Sequence, residues 1–336
     1  MESMSIRCFT LFLVLLCFFS PPAIALNKGF NQAWFKTDYS YQWLDGYYDK
    51  TYAEKIIQLN KDANSTILRM WLFEGSSLLQ FERNMKSGDI IIKNDFIKNL
   101  RHFLKLARKH HLKISLTFLD GNAFSDLVSN PDLLSFWWKV FNDKDGMLEK
   151  YYQSAVLPIY QLVQREFSDV VVQFDLVNEV NALMEFKMFE NYNQAMSNFL
   201  CKLRTNAPSQ VTASLGWANA DDLFFSGFLN NSCLDYYDLH YYNDSGEIPR
   251  CEDFKVLHSG GINFQLGEFG QLSPAFDDEL QSSVTLNFLK NAKRCKFNSA
   301  FAWRLVDFRP GNNTEARYSF IAFSRPRLSY FIFKNF

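Results

Sequence analysis

Val171–Asn181, VVQFDLVNEVN, is an apolar run that stops abruptly at an Asn–Glu pair. A run of this length and composition predicts a strand buried on both faces, with Glu179 where it runs out. About ninety residues on, the length of roughly three βα units, Ile262–Gly270 (INFQLGEFG) repeats the arrangement with Glu268 at its end. Working residues of a (β/α)8 barrel gather at the C-terminal tips of its strands. Two carboxylates so placed predict an α/β chain folded as such a barrel, with both acids at one mouth.

Outward from these two strands the same alternation continues. Strand-like segments are predicted at Gly29–Trp34 (GFNQAW), Thr66–Phe73 (TILRMWLF), Leu112–Leu119 (LKISLTFL), Val211–Leu215, Tyr236–His240 and Ala300–Leu305. Between them, apolar residues recur at helical spacing in Tyr52–Leu59, Phe96–His110, Leu148–Arg165 and Leu280–Ala292. The segment Asp120–Lys150, with Trp137, Trp138 and Phe141, reads as an elaborated loop over the barrel mouth. Eight strands in βα alternation predict one parallel barrel. An open doubly wound sheet is the alternative, but no Gly-rich phosphate loop follows the first strand.

Composition narrows the function classes. A formal net charge of −1 carries no electrostatic footprint for nucleic acid, and no basic run suggests a membrane patch. Arg7, the apolar run Phe9–Phe19 and the small-x-small site Ala23-Ile24-Ala25 predict a signal peptide over residues 1–25. The apolar run is shorter than the ~20 residues of a membrane span. One catalytic domain, 26–336, would then be exported, either secreted to the extracellular side or left in a periplasm, with no membrane association after cleavage. Cys201, Cys233, Cys251 and Cys295 would remain in it and allow three pairings. Cys233 and Cys251, which flank one predicted strand, are the favoured pair. Sequons stand at Asn64, Asn230, Asn243 and Asn312.

The predicted strand ends, in order, offer Asn31, Arg69, Asp120, Asn178 with Glu179, Trp217, His240 with Tyr242, Glu268 and Trp303. Arg69 lies inside an apolar strand, where an unpaired guanidinium is very expensive, so it must meet a carboxylate. This set suits the cleavage of an acetal. One carboxyl stays protonated to release the leaving oxygen, and the other is ionised to meet the charge developing at the anomeric carbon. A Trp face suits the C–H side of a sugar ring. Only five His are present and His110–His111 sit on a predicted helix, so metal-ligand geometry is poor.

The motif series resembles the clan A glycoside hydrolases, most of all family 5 cellulases and β-mannanases. The matching pieces are GFN (Gly29–Asn31), LRMW (Leu68–Trp71), VNE (Val177–Glu179), HYY (His240–Tyr242), GEFG (Gly267–Gly270) and AW (Ala302–Trp303). They span nearly the whole chain after the leader. The resemblance implies Glu179 as acid/base and Glu268 as nucleophile of a retaining mechanism, with the two carboxyls ~5–5.5 Å apart. It also implies that Arg69 supports Glu268, Asn178 meets the sugar 2-hydroxyl, His240 and Tyr242 line the subsite, and Trp303 is its platform. A monomer acting on a β-linked polysaccharide or oligosaccharide, β-mannan or β-glucan first, with no metal or organic cofactor, is the expectation. Two departures stand out: Val180 follows Glu179 where the family has Pro, and Leu119-Asp120-Gly121-Asn122 replaces a His-bearing motif. A catalytically silent glycan-binding barrel and a transglycosylase using the same site are the alternative readings.

Overall fold

The computed structural model describes residues 26–35, 40–75, 80–84, 89–216, 219–273, 278–307, 314–322 and 325–336. The leader 1–25, Trp217 and the Asn312 sequon lie outside them. Eight positions around a ring carry parallel strands: β1 Asn27–Asn31, β2 Ile67–Glu74, β3 Lys113–Asp120 and β4 Val171–Asn178 form one half. The other half holds β5 in two pieces, Gln210–Thr212 and Ser214–Leu215, then β6 Tyr237–Tyr241, β7 Phe264–Phe269 and β8 Ser299–Ala302. Pairing runs in sequence order from β1 to β4, and β8 returns to β1. The ring closes through β5. Its first piece pairs with β4 up to Asp175↔Thr212, and its second pairs with β6 from Ser214↔Asp238, leaving only Ala213 between.

Helices clad the outside, and their sequences show why. In Asn94–Lys109 the buried residues Phe96, Leu100, Phe103, Leu104 and Ala107 fall on one face at helical spacing. In β4 the pleat sends Phe174 out to meet Phe118 and Tyr160, with ring centroids at 5.6 and 4.8 Å. The alternate residues Gln173 and Asp175 point into the barrel. The interior is therefore polar where barrels of this kind are usually filled with Val, Ile and Leu. A lower layer joins Gln173 to Ser115 and Gln265, and Gln265 to Ser299. Arg69, Asp175 and Asp238 form the layer above it, all fully buried.

Two expectations change. Asp120–Lys150 is mostly helical, with a 3₁₀ segment Asn122–Ser129 and the helix Pro131–Phe141 capped by Asn130. Trp137 is buried against Phe124, Phe136, Phe141 and Tyr151, and Trp138 packs beside it, so both serve the core. The disulfides are Cys201–Cys233 and Cys251–Cys295, with Cα separations of 5.0 and 4.9 Å, and the favoured Cys233–Cys251 pair is not formed. Cys201 lies in the last turn of the helix Tyr192–Arg204, and Cys295 directly follows the helix Asp278–Arg294. Cys233 and Cys251, by contrast, are separated by the whole of β6 and its following loop. Unanticipated as well are a hairpin, Phe81–Asn84 with Asp89–Ile92, and a small three-stranded sheet near the C-terminus. No helix of the described residues is long and apolar enough to cross a membrane.

Candidate active site

Arg69 is the hub of the C-terminal mouth. Fully buried in β2, it donates from Nη1 to Glu268 Oε1 at 2.7 Å and to Asn31 Oδ1 at 2.7 Å. From Nη2 it donates to Asp175 Oδ2 at 2.5 Å and Asn178 Oδ1 at 2.6 Å. Two carboxylates thus share one guanidinium, which meets the requirement that a charge inside an apolar strand be paired. Asn31 also donates to the Gly267 carbonyl at 2.8 Å, tying β1 to the residue before Glu268.

Glu268 is 4% exposed at the tip of β7. Arg69 holds its Oε1, and the Tyr242 hydroxyl donates to Oε2 at 2.6 Å. Glu179 follows β4 with a left-handed backbone, φ 48°, a conformation that costs an ordinary residue about 1 kcal/mol or more. Its backbone N–H donates to Ser214 Oγ at 2.8 Å, so the split strand β5 holds the turn. A Cβ at Gly216 would sit 2.1 Å from the Glu179 carboxyl, so only glycine leaves room for this side chain. Asn122 donates to Glu179 Oε2 at 2.6 Å, and His240 Nδ1 lies 3.0 Å from Oε1.

One oxygen from each glutamate and a ring nitrogen of His240 lie within 4.8 Å of one another. Among the described residues this is the one such cluster with metal-ligand character, and Arg69 already supplies the positive charge beside it. Burial dominates the protonation of the site. It pushes the Glu268 carboxyl above its usual range, while His240, Arg69 and the Tyr242 hydroxyl pull it back. Asp120 is pushed up to about 7 by burial, with the Glu179 and Glu268 charges adding and the bond from Asn178 opposing. Burial lowers His240 to about 4, so it is a neutral imidazole at neutral pH.

Above the carboxylates opens a cleft of about 740 Å³. Trp303 forms part of its wall together with Trp34 and Trp71, whose ring centroids lie 5.8 and 5.9 Å from it. Trp34 Nε1 donates to Glu74 Oε1 at 2.5 Å, which fixes the ring's edge. Tyr318 packs against this tryptophan cluster, and Tyr242, 5.6 Å from it, also lines the cleft. The peptide Trp303–Arg304 is cis. Aromatic side chains and carboxyls thus line one cleft.

All seven site residues read from the sequence gather here. Glu179, Glu268, Asn178, Tyr242 and Trp303 line the cleft, while Arg69 and His240 lie beneath it. Asn178 is engaged at both ends of its amide, accepting from Arg69 and donating to Asp120 Oδ1 at 2.9 Å, which leaves one N–H to offer. Sequence reasoning passed over Asp175, Asp238, Asn122, Trp34, Trp71 and Tyr318. Asp175 and Asp238 carried the signal used for Arg69, a charge inside an apolar strand, in VVQFDLV and YYDLHYY. Asn122 carries no local signal.

No protein-family model matches the sequence, and no curated protein does. Solved structures match in shape. The β-mannanase of the blue mussel Mytilus edulis superposes with a TM-score of 0.60 at 16% identity, over 83% of this chain and 86% of that one. The β-1,4-D-mannanase of Cryptopygus antarcticus gives 0.64 at 16% identity, over 92% and 90%. GH5_18 from Streptomyces cattleya, in complex with GlcNAc, gives 0.66 at 11% identity, over 93% and 80%. The fold is that of the family 5 glycoside hydrolases. At these identities the likeness concerns the fold.

Proposed function

We propose that this protein is a retaining glycoside hydrolase of family 5 type that cleaves β-linked glycans. The observation that carries the reading is the carboxylate pair, with one oxygen of each within 4.8 Å. Retaining enzymes need carboxyls ~5–5.5 Å apart, whereas inverting enzymes leave ~6.5–9.5 Å for a water. Glu179, protonated, gives its proton to the leaving glycosidic oxygen while Glu268 attacks the anomeric carbon. A water then gives its proton to Glu179 and attacks the same carbon, releasing Glu268. Arg69 and Tyr242 keep Glu268 anionic and aimed, and Trp303 supports the ring.

β-Mannan is the first substrate to test and β-glucan the second, because the solved mannanases share the fold while Asp120 alters one wall. Export through the 1–25 leader and action as a monomer complete the proposal. The test is release of reducing sugar by the 26–336 protein on β-mannan, β-glucan, xylan and galactan, beside Glu268→Gln. Activity on one glycan, lost in the variant, establishes substrate and nucleophile together. Glycan binding with no product from any substrate overturns hydrolysis in favour of a binding barrel. Longer oligosaccharides among the products identify transglycosylation.

A further inference from the structure

One buried acid in the barrel takes no part in the mechanism above. Asp238 stands two residues ahead of His240 on β6 and is fully buried. Its Oδ2 accepts from Gln265 Nε2 at 2.8 Å, but Oδ1 has no hydrogen-bond partner. His240 Nε2, equally buried and equally unpartnered, lies 3.7 Å from that oxygen. The other ring nitrogen faces Glu179 Oε1 at 3.0 Å and stands 3.6 Å from Glu268 Oε2. Space for the Asp238 carboxyl comes from Gly267, the residue before Glu268. A Cβ there would meet Oδ1 at 1.9 Å.

Charge counting sets the direction of this chain. Arg69 bonds directly to Asp175 and Glu268, and one guanidinium cannot neutralise a third buried carboxylate as well. Burial raises Asp238 well above the carboxylate range, and the Asp175 and Glu268 charges add to this against the pull of Arg69 and Gln265. A neutral carboxyl has one O–H to give, and the atom facing it is Nε2. The neutral imidazole then carries its own proton on Nδ1, toward Glu179.

We propose that Asp238 is a positioning residue whose carboxylic acid donates to His240 Nε2, holding the Nδ1–H tautomer that donates to Glu179 Oε1. A shift of under about 1 Å brings the facing atoms to bonding distance. The chain has a mechanistic result: Glu179 then accepts at both oxygens, from His240 on Oε1 and from Asn122 on Oε2, which holds its carboxyl in one orientation. Its catalytic consequence rests on Glu179 being the acid/base; the tautomer does not.

The test is nitrogen NMR of the 26–336 protein carrying ¹⁵N-histidine, with the His240 signals assigned by their loss in His240→Asn. The expected result is a protonated Nδ1 and a bare Nε2 from about pH 5 to 8. A proton on Nε2, or an imidazolium in that range, overturns the proposal whether or not a substrate has been found. Kinetics supply the second arm. Asp238→Leu should lower kcat by about 100-fold with KM little changed and move the alkaline limb of the kcat profile. Asp238→Asn, whose amide N–H also reaches Nε2, should recover most of that loss. Equal losses in the two variants overturn the donor role. Should the leucine variant fail to fold, the His240 tautomer in Asp238→Asn decides instead: retained Nδ1–H supports the chain, and Nε2–H refutes it.

Discussion

The two mouths of the barrel are both polar, yet they are built on opposite principles. At the N-terminal mouth a hollow of about 370 Å³ is lined by Asn27, Lys113, Gln173, Gln265, Asn298 and Ser299, among others. Gln173, Gln265, Ser115 and Ser299 bond one another, so amides and hydroxyls answer each other's needs without charge. At the C-terminal mouth Glu179, Glu268 and Asp120 share a confined space with one guanidinium below them and a tryptophan wall above. Protonation there is displaced from its usual values, and a backbone turn is strained. Polarity alone does not mark a site; crowded carboxylates next to an aromatic slot do.

The comparison breaks if chemistry survives at the wrong mouth. Glu268→Gln and Glu179→Gln should each lower turnover by at least ~10³-fold while leaving thermal unfolding nearly unchanged. Near wild-type turnover in either variant removes that residue from its role. Arg69→Ala strands Asp175 and Glu268 together, so it should cost ~3–5 kcal/mol of stability in denaturant titration as well as activity. Normal stability would contradict the buried-pair argument.

Asp120 sharpens the contrast through pH. Its folded value, about 7, stands above the ordinary 3.8 of the unfolded chain. The native state therefore holds a proton that the unfolded chain has already lost, and stability falls as pH rises through this window. Asp120→Asn should flatten that slope between about pH 4 and 7 and raise stability at pH 8 by up to about 4 kcal/mol. An unchanged slope in urea midpoints against pH would show that Asp120 ionises normally. At the other mouth Gln173→Leu leaves partners on Ser115 and Gln265 unmet, at about 1–2 kcal/mol. Turnover should stay at the wild-type level, and a large loss of kcat would erase the distinction between the mouths.

Much of this was legible from the chain, for physical reasons. Buried parallel strands read as apolar runs, and a charged residue at or inside such a run has few reasons to be there, which singled out Glu179, Glu268 and Arg69. The same logic applies to Asp175 and Asp238, charges inside apolar runs that mark the polar interior. Other features left no local trace. The Cys201–Cys233 and Cys251–Cys295 pairs depend on which helix ends meet in space, and Asn122 reaches Glu179 only because the chain turns tightly at Gly121. The segment that carries Trp137 and Trp138 shows the opposite error, since it read as a loop over the mouth and is largely helix packed on the core.

The split in β5 ties the mechanical closure of the ring to its chemistry. Ser214 alone receives both the Glu179 N–H, on its hydroxyl, and the Val180 N–H, on its carbonyl. With only five paired residues joining β5 to its two neighbours, this is the thinnest seam of the ring. Opening the seam and losing the aim of the proposed acid are then one event. The proposed activity should be lost at a denaturant concentration where most of the protein's amides are still protected from exchange, a fuse placed at the one joint that closes the circle.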